Sequence, residues 1–376
     1  MKKILVMVGT RPEAIKMIPV YKQLKKHSDT ILPLLVSTGQ HKEMLRQVFS
    51  DFDVIPDIDL NIMTQNQTLA GMSSKLFLTI DSLLEIQKPN VVLVQGDTTT
   101  VQVASLCAFY QRIPIGHIEA GLRSHDLNLP FPEELNRRVT GIIATWHFPP
   151  TDLSKNNLIN EGITAEKICV SGNTVIDALL YIQQKVRRSA PPMPSIIEKV
   201  IEEKRRIILV TGHRRESIGS GFEDICEALK QLSLKYPNDR IIYPVHLNPL
   251  VRKTVLEKLK NIEGILLIDP LPYKQFVYLM DKCSLIMTDS GGIQEEGPSM
   301  GKPVLIMREV TERPEGINAG VNFLVGTNST DIIKYASNFL DEEDRCRLIG
   351  SIQNPYGDGK ASERIVSFLM NKLKVF

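Results

Sequence analysis

The stretch Lys-Ile-Leu-Val-Met-Val-Gly-Thr-Arg-Pro-Glu-Ala-Ile-Lys (3–16) decides the fold class. Lys3 to Val8 is a nearly unbroken apolar run, as expected of a parallel strand buried on both faces. Pro12 suits the first residue of a helix, and the pattern predicts that helix through about Lys25. The same alternation continues outward from this unit. Ile31 to Val36, Val91 to Val94 and Ile113 to Ile118 read as further strands, with helical patterns over Leu69 to Gln87 and Val101 to Tyr110. Near residues 187–195 the chain turns polar and Pro-rich, which reads as a surface linker. Strand signals then resume at Ile207 to Val210, Ile241 to Val245, Ile265 to Ile268, Leu285 to Met287 and Val304 to Met307, with helices between them. Strands alternating with helices predict an α/β protein of two Rossmann-like domains facing each other across a cleft. The expected division is 1–172 and 173–358, with a last helix in 359–376 packing back on the first domain.

Composition narrows the function. The 376 residues carry 45 Lys and Arg against 43 Asp and Glu, so no overall charge points to nucleic acid or an anionic membrane as partner. The first apolar run is short and stops at Gly9-Thr10-Arg11 without a small-residue cleavage site, unlike a signal peptide. No apolar stretch approaches the roughly 20 residues of a membrane span. A cytoplasmic protein is expected. The five cysteines (Cys107, Cys169, Cys226, Cys283, Cys346) are scattered singly and read as core residues of a reduced compartment.

Ligands of open α/β sheets bind beyond the carboxyl ends of the strands, so the residues just after each strand matter most. They are polar: Gly-Thr-Arg-Pro-Glu (9–13), Gly-Asp-Thr (96–98), His-Ile-Glu-Ala-Gly-Leu-Arg (117–123), Thr-Gly-His-Arg-Arg-Glu (211–216), His-Leu-Asn-Pro (246–249) and Thr-Asp-Ser-Gly-Gly (288–292). The last of these reads as strand, turn and helix start. Gly291 and Gly292 let a ligand approach the backbone, Ser290 adds a donor, and the helix start favours an anion. Glu296 lies about one helical turn on and could accept the hydroxyls of a ribose. Arg11 and Arg313 are the cations suited to phosphate. The competing reading is a simple chain turn with solvated arginines. Gly297 to Pro303 is too short for a P-loop, no Gly-x-Gly-x-x-Gly follows a strand, and no metal-ligand spacing occurs, so neither cofactor nor metal is expected.

Asp97, Glu119 and Glu133 are the residues to watch for proton transfer. Grouped carboxylates push one another's pKa values apart and can supply both an acid and a base. Simpler roles compete: Asp97 as an N-cap, Glu133 as an acid in a first helical turn. Glu119 directly follows a buried strand. His213, in a loop with Arg214 and Arg215, would face these acids from the second domain.

Together these blocks resemble the bacterial non-hydrolysing UDP-N-acetylglucosamine 2-epimerases over essentially the whole chain. The resemblance also draws on Gln-Gly-Asp-Thr (95–98), Pro-Glu-Glu-Leu-Asn-Arg (132–137), Tyr-Pro-Val-His-Leu-Asn-Pro (243–249), Asp-Ser-Gly-Gly-Ile-Gln-Glu-Glu (289–296) and Arg-Glu-Val-Thr-Glu-Arg-Pro-Glu (308–315). It implies the two-domain GT-B fold and reversible conversion of UDP-N-acetylglucosamine (UDP-GlcNAc) to UDP-N-acetylmannosamine (UDP-ManNAc) without NAD or metal. It implies Phe276 at the uracil, Ser290, Gly291 and Gly292 at the diphosphate, Glu296 at the ribose, and added charge from Arg11, Lys16 and Arg313. Asp97, Glu119 and Glu133 match the family's essential acids, His213 faces them, and Arg137 matches a position near the substrate. A homodimer is implied, as is an activator site for UDP-GlcNAc involving Gln40, Arg214 and His246. Asn66 departs from the Arg that many relatives place toward that activator. The rival readings are a hydrolysing epimerase, a GT-B glycosyltransferase and a non-catalytic nucleotide-sugar sensor.

Overall fold

The computed structural model describes residues 1–39, 42–62, 67–212 and 220–374. The chain forms two compact units, one of residues 1–178 with 356–376, the other of 179–355. The first contains β1 (Lys2–Val8), α1 (Arg11–Lys25), β2 (Ile31–Ser37), α2 (Lys42–Asp51), β3 (Ile58–Asp59), α3 (Leu69–Gln87), β4 (Val91–Gln95), α4 (Thr99–Tyr110), β5 (Ile115–Ile118), α5 (Glu133–Ile143), β6 (Trp146–Phe148), α6 (Asp152–Asn160) and the start of α7 (Thr174–Arg188). The second contains the rest of α7, then α8 (Ser195–Glu202), β7 (Ile207–Thr211), α9 (Ser220–Lys235), β8 (Arg240–Pro244), α10 (Pro249–Leu259), β9 (Ile265–Ile268), α11 (Tyr273–Lys282), β10 (Leu285–Thr288), α12 (Gly291–Ser299), β11 (Val304–Ile306), α13 (Pro314–Asn318), β12 (Asn322–Leu324), α14 (Ser329–Asp341) and α15 (Glu343–Ser351). A final helix, α16 (Ala361–Leu373), belongs to the first unit.

Each unit holds a six-stranded sheet, ordered β3-β2-β1-β4-β5-β6 in the first and β12-β11-β10-β7-β8-β9 in the second. Read from its other edge, the second order repeats the first. Every pairing is parallel. This is the doubly wound Rossmann order, and the apolar strands explain it: β4, β5 and β10 are buried along their whole lengths and need helices on both faces.

Details of the strands differ from the sequence reading. β5 starts at Ile115 rather than Ile113. Pro114 has no N–H for the ladder, although its carbonyl accepts the N–H of Val92 at 2.9 Å. α4 begins at Thr99, capped by the Thr98 hydroxyl, which accepts the N–H of Val101. Asp97 is therefore not the cap. The Pro-rich run 187–195 is not a linker between units: it lies wholly within the second, with Pro191 and Met193 buried. The division of the units falls instead inside α7, at Ala178/Leu179, and again at Pro355/Tyr356.

α16 is tied into the first unit. The Asp177 carboxylate accepts the N–H groups of Ala361 and Ser362 at the start of the helix, at 3.2 and 2.8 Å. Further along, Phe368 meets Phe148 of β6 edge to face, with centroids 5.5 Å apart. No described helix is long and apolar enough to cross a membrane.

Candidate functional site

In a doubly wound sheet the winding reverses beside the first strand, and the carboxyl ends of the two strands at that point flank a crevice. In the first unit those strands are β1 and β4; in the second they are β7 and β10. The turns that follow them carry most of the polar residues singled out in the sequence.

In the first unit, Arg11 opens α1 just after β1, and no described side chain pairs with its guanidinium. One helical turn on, Lys16 grips Glu119 with Nζ 2.7 and 2.6 Å from the two carboxylate oxygens. Glu119 comes straight after β5 and has left-handed backbone, with φ of 61°. A non-glycine residue pays strain for that conformation, which aims its carboxylate at Lys16 and at the buried Gln95 amide that also donates to it. Asp97 follows β4 and pairs with Arg137 of α5, while its backbone carbonyl accepts from Asn136 at 2.9 Å. The first unit thus brings two carboxylate–cation pairs to adjacent strand ends.

The neighbouring glutamates 133 and 134 are sorted by the first turn of α5. Glu134 is fully buried and committed to structure: it accepts from the Ser124 N–H, Arg137 and Arg138 at 3.0 to 3.2 Å. Glu133 is half-buried and uses no described partner. His117, also buried, faces the carbonyl of Gly96 at 2.8 Å, and burial lowers its pKa to about 4, so it is neutral at pH 7. Its role is to fix the turn before Asp97.

In the second unit, Ser290 is the N-cap residue of α12, and its N–H is held by the Thr288 hydroxyl at 2.9 Å. The hydroxyls of Thr288 and Thr211 meet at 2.6 Å across the reversal point. Arg313 lies against Gly291: a Cβ there would stand 2.5 Å from its Nη1. Glu295 fixes that arginine through Nε at 2.6 Å. Gly292 is open, with nothing within 4 Å of a Cβ position. Glu296 is buried one turn along, accepting the Tyr273 hydroxyl at 2.8 Å. A free helix start, an arginine clamped beside it and a buried carboxylate one turn on suit a diphosphate with an attached diol. Phe276 lies half-buried on α11. Its neighbour Gln275 lines a cavity of about 510 Å³ with Val245, Ile268 and Leu271.

His246 is exposed, and its Nδ1 accepts the N–H of Asn248, the residue that caps α10. Asn248 caps the helix because its carboxamide oxygen accepts the Leu250 N–H at 3.1 Å. Gln40, His213, Arg214 and Asn66 lie outside the described residues. Among the described residues no group of three or more His, Cys, Asp or Glu could hold a metal ion. Sequence reasoning assigned no role to Gln95, Asn136, Tyr273 and Glu295, which hold Glu119, Asp97, Glu296 and Arg313. Their partners are mostly far away in the chain, so no local pattern announces them.

Two Rossmann-like units of the same winding, with acids at the strand ends of one and an uncapped, glycine-rich helix start in the other, make a protein of the GT-B type. The family model described as UDP-N-acetylglucosamine 2-epimerase matches residues 22–370. The UDP-N-acetylglucosamine 2-epimerase of Campylobacter jejuni is 49% identical over 374 residues, 98% of this chain and 97% of that one. The protein of the same name from Escherichia coli K12 is 48% identical over 371 residues, 98% of each chain. A solved structure of the Neisseria meningitidis UDP-GlcNAc 2-epimerase bound to UDP-GlcNAc superposes with a TM-score of 0.88, at 46% identity, covering 98% of this chain and 100% of that one. The Methanocaldococcus jannaschii epimerase in complex with UDP-GlcNAc and UDP gives 0.80 at 35% identity, covering 98% and 99%. The chain belongs to the UDP-N-acetylglucosamine 2-epimerase family.

Proposed function

We propose that the protein is a non-hydrolysing epimerase that interconverts UDP-GlcNAc and UDP-ManNAc in the cytoplasm and supplies ManNAc units for surface polysaccharide. The observation that carries this reading is the pair of gripped carboxylates, Asp97 with Arg137 and Glu119 with Lys16, at the strand ends of one unit. Binding UDP alone would not require them.

The C2–H of the sugar is not next to a carbonyl and is not acidic. Departure of UDP solves this: the C1–O bond breaks, its electron pair leaves with the β-phosphate, and positive charge builds at C1. A base then takes the C2 proton and a C1–C2 double bond forms, leaving a bound 2-acetamidoglucal and UDP. Return of a proton to the opposite face, with the C1–O bond reformed, inverts C2. Asp97, Glu119 and Glu133 are the acids and bases of this exchange, His213 is a further catalytic residue, and Arg137 acts on the sugar. Ser290, Gly291, Gly292 and Arg313 receive the developing charge on the diphosphate, helped by Arg11 and Lys16. Glu296 holds the ribose and Phe276 the uracil. Water must be kept out, because it would trap the intermediate and release free sugar.

A homodimer fits the apolar side chains left exposed on neighbouring helices of the first unit: Leu78 and Ile86 on α3, Phe109 and Tyr110 at the end of α4, and Ile142 on α5. An activator site for UDP-GlcNAc would use Gln40, Arg214 and His246.

Proton NMR of UDP-GlcNAc with the enzyme in heavy water tests the reaction. Deuterium at C2 of UDP-ManNAc, with little free sugar, is the expected result. Accumulation of UDP and free N-acetylmannosamine identifies a hydrolysing enzyme instead. UDP binding without C2 exchange defeats epimerisation.

A further inference from the structure

Glu13 is 2% exposed, on the first turn of α1, and the reaction scheme above gives it no part. Its environment is specific. One carboxylate oxygen accepts the N–H groups of Gly9 and Thr10, at 2.5 and 3.1 Å. The other accepts the hydroxyl of Thr98, 85 residues away in the chain, at 2.5 Å. Gly9 and Thr10 lead into Arg11; Thr98 follows Asp97 directly and caps α4. Glu13 therefore joins the turn after β1 to the turn after β4, at the reversal point of the sheet.

The joint has little slack. A Cβ on Gly9 would lie 2.5 Å from the Thr100 hydroxyl and 2.9 Å from that of Thr38, so the first turn is pressed against α4 and β2. The second turn is held from its other sides by Asn136 on the Asp97 carbonyl and His117 on the Gly96 carbonyl. Glu13 supplies the remaining side.

We propose that Glu13 is a positioning residue for epimerisation: its carboxylate clamps the Thr98 hydroxyl to the start of α1 and so fixes where the Asp97 carboxylate stands. The inference rests on Asp97 acting in the reaction as proposed above. A displacement of about 1 Å at a reacting group can cost about 10²-fold in rate, so a clamp without substrate contact can still control turnover.

The clamp also titrates. Burial is the main influence and, with the nearby Asp97 charge, outweighs the three hydrogen bonds to leave the Glu13 carboxyl at about 7. The other groups against it, Gly9, Thr10 and Thr98, are uncharged. As a carboxylate it accepts all three donors. Once protonated it can hold Thr98 only by donating to its hydroxyl oxygen, which already accepts the Val101 N–H, so the clamp weakens as pH falls below about 7.

The test compares wild type with Glu13→Ala, Glu13→Gln and Thr98→Ala across pH 5.5 to 8.5, reading kcat, KM, UDP affinity and C2 deuterium exchange. Glu13→Ala should lower kcat by about 10²-fold while UDP affinity, set mainly by Ser290, Gly291, Gly292 and Arg313 of the other unit, falls far less, by no more than about threefold through Arg11. Thr98→Ala should do much the same, and the double variant should be no worse than either, because both break one link. Glu13→Gln retains an oxygen for the backbone and an amide for Thr98; it should keep more activity than Glu13→Ala and lose the acid limb near pH 7. Folded Glu13→Ala or Thr98→Ala with wild-type kcat overturns the role, as do additive effects of the two or an acid limb that persists in Glu13→Gln. Should Glu13→Ala not fold, Glu13→Gln and Thr98→Ala still decide the matter. A wild type that exchanges C2 beside unimpaired variants removes the clamp alone; a wild type that exchanges nothing removes the reaction and the clamp with it.

Discussion

Lowering the pH from 6.5 to 5 should destabilise the first unit, chiefly through three buried groups. His117 and His147 are partners in register on β5 and β6, both almost wholly buried. Burial lowers His117 from 6.5 to about 4 and His147 from 6.5 to about 3. In this window the unfolded chain binds a proton at each imidazole and the folded one does not. Stability is present above pH 6.5 and is lost as pH falls toward the folded values, at about 1.4 kcal/mol per unit for each histidine. Glu13 works the other way. Its folded pKa is raised from 4.5 to about 7, so the folded state holds a proton that the unfolded state has released. That contribution is present below pH 4.5 and is lost as pH rises through about 7. One histidine is thereby offset, and the net loss between pH 6.5 and 5 is about 2 kcal/mol. Glu13→Gln removes the offset and should nearly double that loss; His147→Leu should flatten the profile. Urea titrations can be followed by the fluorescence of Trp146, the single tryptophan, which is buried in β6 of this unit. A wild-type stability that is flat or rises toward pH 5, or a Glu13→Gln slope equal to wild type, would refute the reasoning.

Other outcomes follow from the site geometry. Asp97→Asn and Glu119→Gln should each lose most of the turnover while still binding UDP, measured by rate assay and calorimetry; near-normal turnover in both takes these acids out of the mechanism. Gly291→Ala places a methyl 2.5 Å from the Arg313 guanidinium and must push it off its hold on Glu295, so the fold should survive while UDP binding weakens by about tenfold or more. Gly297→Ala meets the buried Val304 at 2.5 Å and should cost about 1–3 kcal/mol of stability, whereas Gly292→Ala, facing open space, should leave thermal unfolding unchanged. Tyr273→Phe should weaken UDP binding with little effect on kcat, since it frees the Glu296 carboxylate from a 2.8 Å bond.

The fold class was legible because its strands are continuous apolar runs; both sheets are parallel and doubly wound, as those runs require. The strands that escaped notice are β3, β6 and β12, two or three residues long, too short to carry a period, and β6 reads Trp-His-Phe with a histidine at its centre. The polar turns were legible as the loops at the strand ends, since an α/β sheet exposes its loops there. What the sequence could not supply was pairing across distance. Lys16 and Glu119 are 103 residues apart, and Asp97 and Arg137 are 40 apart. Asp97 as a helix cap and 187–195 as a linker were local readings, and tertiary packing overrode both: Thr98 takes the cap and the Pro-rich run packs on the second unit.

The return of α16 to the first unit has a consequence for biosynthesis. The ribosome makes the whole second unit, residues 179–355, before it releases the helix that completes the first. Until then the end of β6 at Phe148 lacks the cover of Phe368, and Asp177 lacks the amides it will cap. Chain order therefore lets the unit begun second finish first, leaving the nascent first unit with an unsealed apolar edge through most of translation. Premature stops or bulky additions near α16 should accordingly be felt at the start of the chain, in the unit that carries the acids.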